Sequence, residues 1–266
     1  MAIDSRRVTV AAMTFAPKSV AVVLGTRPEI IKLSEIIKLL GDAAWLIHTG
    51  QHYDPNLSGS FFDELSLPEP DVFLDVGGSS RGHQIGEATK RLDALFADHR
   101  PRAVVVQGDT NAVMAGSLAA NAREITLAHI EAGLRSHDRA MPEEHNRVVA
   151  DHLADLCCAP TQTNVDNLAA EGIEDERVVL TGNTIVEAVL ELLPDESDRA
   201  ALCEAHGVEP GRFVLSTFHR PENVDNPETY RTILEQLAGL DIPVLLPLHP
   251  RSVKRAQEHG FGDLLD

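Results

Sequence analysis

The stretch VAVVLGTRPEIIKLSEIIKLL (Val20–Leu40) carries the fold in miniature. Its first five residues are apolar, largely β-branched and without alternation, the pattern of a strand buried on both faces of a parallel sheet. Gly25 then permits a tight turn, and Pro28 stands where a starting helix accepts proline without losing a hydrogen bond. From Glu29 to Leu40 the apolar residues recur at helical spacing. The segment is the opening half of a strand–helix–strand unit.

The same grammar repeats outward along the chain. Ala44–His48, Ala103–Gln107 and Ile125–Ile130 read as further buried strands, with helices at Gln84–Asp98 and Asn111–Ala122. Pro142 opens another helix, with Glu143 and Glu144 in its first turn. A strand at Leu156–Ala159, a helix at Thr163–Glu171, a strand at Arg177–Thr181 and a helix at Thr184–Leu193 complete the series. This predicts an α/β fold, a Rossmann-like doubly wound domain over residues 19–193, preceded by a loose extension at 1–18 in which Met13 is a candidate start. Pro194–Asp198 is polar and turn-prone, a plausible boundary. A second series follows at Phe213–Thr217, Pro227–Leu237 and Val244–Leu248. An α/β domain of ordinary size needs more chain than 199–266, so the second domain is expected to be incomplete.

Across the 266 residues, 41 acidic side chains stand against 23 basic ones, a formal charge of −18. Such a field repels nucleic acid and anionic membrane, and neither is expected as a partner. Lysine is scarce: Lys18, Lys32, Lys38, Lys90 and Lys254. Acid-rich, lysine-poor chains stay soluble in concentrated salt, where screening removes self-repulsion, so a halophilic source is expected; an ordinary acidic enzyme is the alternative. No apolar run is long enough to span a bilayer, and Asp4, Arg6 and Arg7 make a poor signal peptide, which together suggest the cytoplasm. Cys157, Cys158 and Cys203 have no metal-ligand spacing and read as small buried hydrophobes in a reducing compartment.

Open α/β sheets place ligands at the carboxyl ends of their strands, and the polar residues gather there. After the first strand, helix N-terminal amides with Arg27 and Lys32 suit a phosphate, although a plain turn with an exposed arginine uses the same residues. Gln107-Gly108-Asp109-Thr110-Asn111 ends a later strand, and Asp109 is either a helix N-cap or a functional carboxylate. The next strand ends in His129-Ile130-Glu131-Ala132-Gly133-Leu134-Arg135, where a carboxylate is costly unless paired or used. Asp109 and Glu131 on neighbouring strands would converge on one cleft, where paired carboxylates could exchange protons with a sugar carbon or position a catalytic acid. His48 and His52 lie on a strand end and the following loop, not on one helix face, so no metal is expected. His219 beside Arg220, and His249 near Arg251, end strands of the second series, where a surface histidine in a loop is the plainer alternative. No GxGxxG follows a strand and no GxxxxGK[ST] occurs, so neither a dinucleotide cofactor nor a P-loop is supported.

Taken in order, eight strings resemble the non-hydrolysing UDP-N-acetylglucosamine 2-epimerase family: GTRPEIIKL (25–33), HTGQHYD (48–54), QGDTN (107–111), HIEAGLRS (129–136), MPEEHNR (141–147), TGNT (181–184), HRPENVDN (219–226) and LHPR (248–251). The resemblance implies a GT-B-like fold of two Rossmann-like domains with the active site in the cleft between them, usually in a homodimer. It implies reversible conversion of UDP-N-acetylglucosamine to UDP-N-acetylmannosamine without a cofactor, by elimination of UDP to a 2-acetamidoglucal and re-addition. A supply role for surface polysaccharide or glycan precursors is the natural pathway. By resemblance, Asp109, Glu131 and Glu143 are the acid/base carboxylates, with the base unassigned among them. His219 would contact the diphosphate or act on the leaving group. Arg27 and Lys32 would hold UDP, and Arg135 joins them as a substrate-binding candidate. Gln51 and His249 match loops that shape an activator site in some relatives, whereas Asp54 departs from the glutamine common in bacterial members. The serine-glycine-glycine segment and following glutamate with which the family grips its nucleotide are absent, so weak UDP binding is expected.

Three other readings compete. A hydrolysing epimerase would release UDP and free N-acetylmannosamine; the Gly25-Thr26-Arg27-Pro28 loop resembles the non-hydrolysing branch more closely. A GT-B glycosyltransferase would need an acceptor site, and the Asp109–Glu131 pair speaks against it. A non-catalytic nucleotide-sugar-binding subunit would bind without turnover.

Overall fold

The structure, a computed structural model, describes residues 16–51, 61–218, 220–248 and 250–265. Most of the extension expected at 1–18 lies outside them, as do His52 and Asp54. The chain divides into two compact units, the first ending at Leu192 and the second beginning at Leu193.

In the first unit, seven strands form one parallel sheet: β1 (Val20–Leu24), β2 (Ala44–His48), β3 (Val72–Phe73), β4 (Ala103–Gln107), β5 (Thr126–Ile130), β6 (Leu156–Ala159) and β7 (Val178–Leu180). Their order is β3-β2-β1-β4-β5-β6-β7, so chain direction across the sheet reverses between β1 and β4. That switch point opens a crevice at the carboxyl ends of both strands. The helices are α1 (Arg27–Leu40), α2 (Arg81–Asp98), α3 (Asn111–Ala122), α4 (Pro142–Leu153), α5 (Gln162–Ala170) and α6 (Thr184–Leu192).

All of β1 is buried because both its faces are covered. Val20, Val22 and Leu24 pack with Ile30, Leu33 and Ile37 of α1, while Ala21 and Val23 join Leu92 and Phe96 of α2, Val113 of α3 and Ala150 of α4. The two-residue period of the strand thus feeds two separate apolar clusters. Helix α3, rich in alanine, lies close on the sheet: a Cβ at Gly116 would stand 2.8 Å from Val106 Cγ1 and 3.4 Å from Val23 Cβ. Its N-terminus is thereby brought down beside the switch point.

The second unit holds α7 (Glu196–Ala205), β8 (Val214–Leu215), α8 (Pro221–Val224), α9 (Pro227–Ala238), β9 (Val244–Leu245) and α10 (Pro250–Glu258), with β8 and β9 parallel. Val224, Tyr230, Leu234, Ala256 and Phe261 form its core, and the Tyr230 hydroxyl donates to the Ser252 carbonyl at 3.0 Å. Helix α7 begins inside Pro194–Asp198, the stretch expected to be a domain boundary; Asp195 caps it, accepting from Asp198 N at 2.9 Å. Among the described residues no helix is long and apolar enough to cross a membrane.

Candidate active site

Of the expected site residues of the first unit, Arg27, Lys32, Asp109 and Glu131 lie on the segments that follow β1, β4 and β5. Glu131 follows β5 in a left-handed backbone conformation (φ 67°), which costs a residue with a Cβ roughly 1–2 kcal/mol. Its carboxylate, 8% exposed, accepts from Lys32 Nζ of α1 at 2.5 Å, from Gln107 Nε2 at the end of β4, and from Asn183 Nδ2 after β7 at 3.2 Å. One desolvated anion is therefore met by one cation and two neutral donors from three other segments. That satisfies the requirement that a buried charge be paired and hydrogen-bonded.

Asp109 sits on the neighbouring loop. The cap of α3 is Thr110, not Asp109: the Thr110 hydroxyl accepts from Val113 N at 3.3 Å. Asp109 is thus released from a capping role and forms an ion pair with Arg147 of α4. Its side chain is 30% exposed. Asn146 Nδ2 donates to the Asp109 carbonyl at 2.8 Å, and the same Asn146 accepts from Arg81 at 2.6 Å. Gly108, at φ 77°, supplies the turn that a residue with a side chain would resist.

Of the adjacent carboxylates in the first turn of α4, Glu144 is buried and Glu143 is exposed. Glu144 accepts from Ser136 N, Ser136 Oγ and His137 N at 2.9–3.0 Å and is 3.3 Å from Arg147. Burial works to raise its pKa, but these donors outweigh it and hold the carboxyl below its usual range. Glu144 is thus committed to shaping the loop after Arg135, leaving Glu143 facing outward.

Glu29, which the sequence reading passed over, is a buried carboxylate at the switch point. It accepts from Gly25 N at 3.0 Å, Thr26 Oγ1 at 2.8 Å and Thr110 Oγ1 at 2.8 Å, joining the β1 and β4 loops. Desolvation dominates here and pushes its pKa up to about 7. Arg27, half-buried, lies 5.9 Å from the Phe61 ring centroid, within cation–π range. Gln51 Oε1 accepts from Ala112 N at the start of α3, at 3.3 Å. His48 is buried and stacked on Phe73, and its Nδ1 accepts from Gly50 N; burial lowers its pKa to about 4.

Arg135 is not brought to this cluster. Its guanidinium is 1% exposed and pairs with Asp151 at 2.8 Å and Glu171 at 2.6 Å, so its charge is already matched within the protein. His219 and His249 lie outside the described residues. Among the described residues no group of three or more His, Cys, Asp or Glu is arranged to hold a metal ion.

A family profile described as UDP-N-acetylglucosamine 2-epimerase matches residues 42–262. The UDP-N-acetylglucosamine 2-epimerase of Methanococcus maripaludis is 40% identical over 254 residues, covering 93% of this chain and 69% of the relative. A Pseudomonas aeruginosa protein named UDP-2,3-diacetamido-2,3-dideoxy-D-glucuronate 2-epimerase is 38% identical over 239 residues, covering 86% of this chain and 66% of the relative. The crystal structure of the Methanocaldococcus jannaschii UDP-GlcNAc 2-epimerase, in complex with UDP-GlcNAc and UDP, superposes with a TM-score of 0.77 at 43% identity, over 92% of this chain and 69% of that one. With the profile spanning most of the sequence and these relatives at about 40% identity, the chain belongs to the UDP-N-acetylglucosamine 2-epimerase family.

Proposed function

We propose that the protein interconverts UDP-N-acetylglucosamine and UDP-N-acetylmannosamine by elimination and re-addition of UDP. The observation that supports the reading is that Asp109, paired with Arg147, and Glu131, paired with Lys32, follow the neighbouring strands β4 and β5, in a chain of this family. A base takes the C-2 proton while the C-1–oxygen bond breaks and its electron pair departs with UDP, leaving a C-1=C-2 double bond. UDP then re-adds at C-1 as a proton is delivered to the opposite face of C-2. Asp109, Glu131 and Glu143 share the proton transfers, which general acid–base catalysis requires of groups on both faces. Arg27 and Lys32 supply positive charge for the departing diphosphate, with His219 acting on the leaving group. Arg135, Gln51 and His249 complete the proposed substrate and activator contacts; for Arg135 this requires that it leave its present partners. A homodimer working in the cytoplasm at high salt, and supplying surface-glycan precursors, belongs to the same proposal.

Proton NMR in heavy water with UDP-N-acetylglucosamine tests it. Appearance of UDP-N-acetylmannosamine carrying deuterium at C-2 is expected. Free N-acetylmannosamine with UDP would move the protein to a hydrolysing reaction, and binding without turnover to a nucleotide-sugar-binding role. The Pseudomonas relative supports a second substrate, a 2,3-diacetamido uronic acid sugar, which the same assay distinguishes by direct competition.

A further inference from the structure

Behind the two carboxylate loops lies a buried charge cluster. His129 of β5 and Asp151 of α4 are both fully buried, and Nδ1 stands 2.6 Å from Oδ1. The other ring nitrogen, Nε2, is 2.7 Å from the Gly108 carbonyl oxygen. A carbonyl oxygen and a carboxylate only accept, so the ring satisfies both partners only when both nitrogens carry hydrogen. Charge balance points the same way. Arg135 joins two anions, Asp151 and Glu171, and the imidazolium is the second cation that brings the four side chains to neutrality. An uncompensated buried charge costs far more than a balanced set.

Three further polar groups border the cluster. His152, half-exposed, is 3.7 Å from Glu171. Arg177 donates to the carbonyls of Asp151, His152 and Ala154, where the C-terminus of α4 already carries partial negative charge. Cys157 Sγ donates to the Asp151 carbonyl at 3.5 Å. Burial works to raise the Asp151 pKa, but the bonds from His129 and Arg135 outweigh it and hold the carboxyl below its usual range.

The pair reaches both loops. Gly108 directly precedes Asp109, and Gly133, two residues beyond Glu131, donates its N–H to Asp151 Oδ2 at 3.1 Å. We propose that His129 and Asp151 are positioning residues of the epimerisation, a buried imidazolium–carboxylate pair that fixes where Asp109 and Glu131 meet the sugar. This rests on the epimerase reading above. Neither residue touches substrate; both act through the loops they grip.

Two measurements test the pair. Nitrogen-15 NMR of the unmutated protein, labelled at histidine, reads the His129 ring directly. Two protonated nitrogens are expected, and a single neutral tautomer would overturn the proposal whatever the activity. Steady-state kinetics of Asp151→Asn and His129→Gln then separate positioning from folding. His129→Gln keeps a donor for Gly108 but loses the cation. For each variant kcat per folded molecule should fall about tenfold to a hundredfold, with KM within about threefold of the original. Unchanged kcat per folded molecule would reduce the pair to a stability role and overturn the proposal. Absence of turnover in the unmutated protein would instead count against the epimerase reading, and the ring spectrum would decide the state of the pair alone.

Discussion

The loops after β4 and β5 hold their carboxylates by opposite means. Asp109 is fixed through its backbone: Gly108 N–H donates to the Ile130 carbonyl, the Gly108 carbonyl accepts from His129, and the Asp109 carbonyl accepts from Asn146. Its carboxylate keeps one ionic partner and some contact with solvent. Glu131 is fixed through its side chain, which is nearly enclosed and held by Lys32, Gln107 and Asn183, while its backbone adopts a strained conformation. The first arrangement aims a hydrated headgroup; the second compensates a desolvated one. Two carboxylates in such different surroundings are suited to different proton-transfer tasks.

The largest effect should come from removing the enclosed carboxylate. Glu131→Gln keeps the shape and loses the proton exchange, so kcat in the NMR assay should fall about 10²- to 10⁴-fold. Activity equal to the unmutated protein would take Glu131 out of the chemistry and collapse the contrast between the loops.

Gly133→Ala attacks the scaffold of the same loop. Its φ is 78°, and an added Cβ would meet the Asn164 carbonyl oxygen at 2.4 Å. Overpacking and backbone strain together should cost about 3–5 kcal/mol in a urea titration. A cost below about 1 kcal/mol would show that the β5 loop yields more readily than its contacts imply.

Glu29→Gln sharpens the comparison by testing the strut that ties the β4 loop to β1. The Glu29 pKa rises from 4.5 to about 7, so the folded protein holds this proton more tightly than the unfolded chain. The resulting stability is fully present below pH 4.5 and is lost as pH rises through 7. The loss should be on the order of 3 kcal/mol. The glutamine variant, neutral throughout, should lack this component, and parallel stability–pH curves for the two proteins would exclude it.

The smallest effect is a protection. Cys158 accepts through its carbonyl from Ala132 N–H, directly under the β5 loop, and burial pushes the Cys157 thiol up to about 12. Thiol reagent at pH 8 should label Cys203 and leave Cys157 and Cys158 unmodified until the protein unfolds.

The central strands β1, β2 and β4 were legible because they are buried on both faces and run almost wholly apolar. Edge strand β3 is two residues long, Val72–Phe73, after a proline-rich approach, and offers no period to read. Helix α7 has no counterpart in the sequence reading, which places a domain boundary at Pro194–Asp198; the helix buries no side chain, and its first residues are the polar ones of that boundary. Asp109 and Glu131 were visible as carboxylates just after strand ends, and Arg27 and Lys32 as cations of the helix that follows the first strand. Their partners were not, since Gln107, Asn183, Asn146 and Arg147 become neighbours only when the sheet order brings their segments together. Glu29 sat within a quoted motif, yet nothing local tells a buried strut from a helix-entry acid. For Arg135, a substrate-binding candidate by resemblance, the anions that match its charge lie 16 and 36 residues further on at Asp151 and Glu171, and nothing local in the sequence announces them.

The carboxylates that accept loop N–H groups have a consequence in time rather than in energy. Gly25 and Gly133 lie outside helix and strand, yet their amide hydrogens point into Glu29 and Asp151. In a hydrogen-exchange experiment these two turn amides should persist with the strands, opening only when the sheet itself opens. The crevice would then be lined by turns with the lifetime of core structure, and its geometry would already be set when a nucleotide sugar arrives.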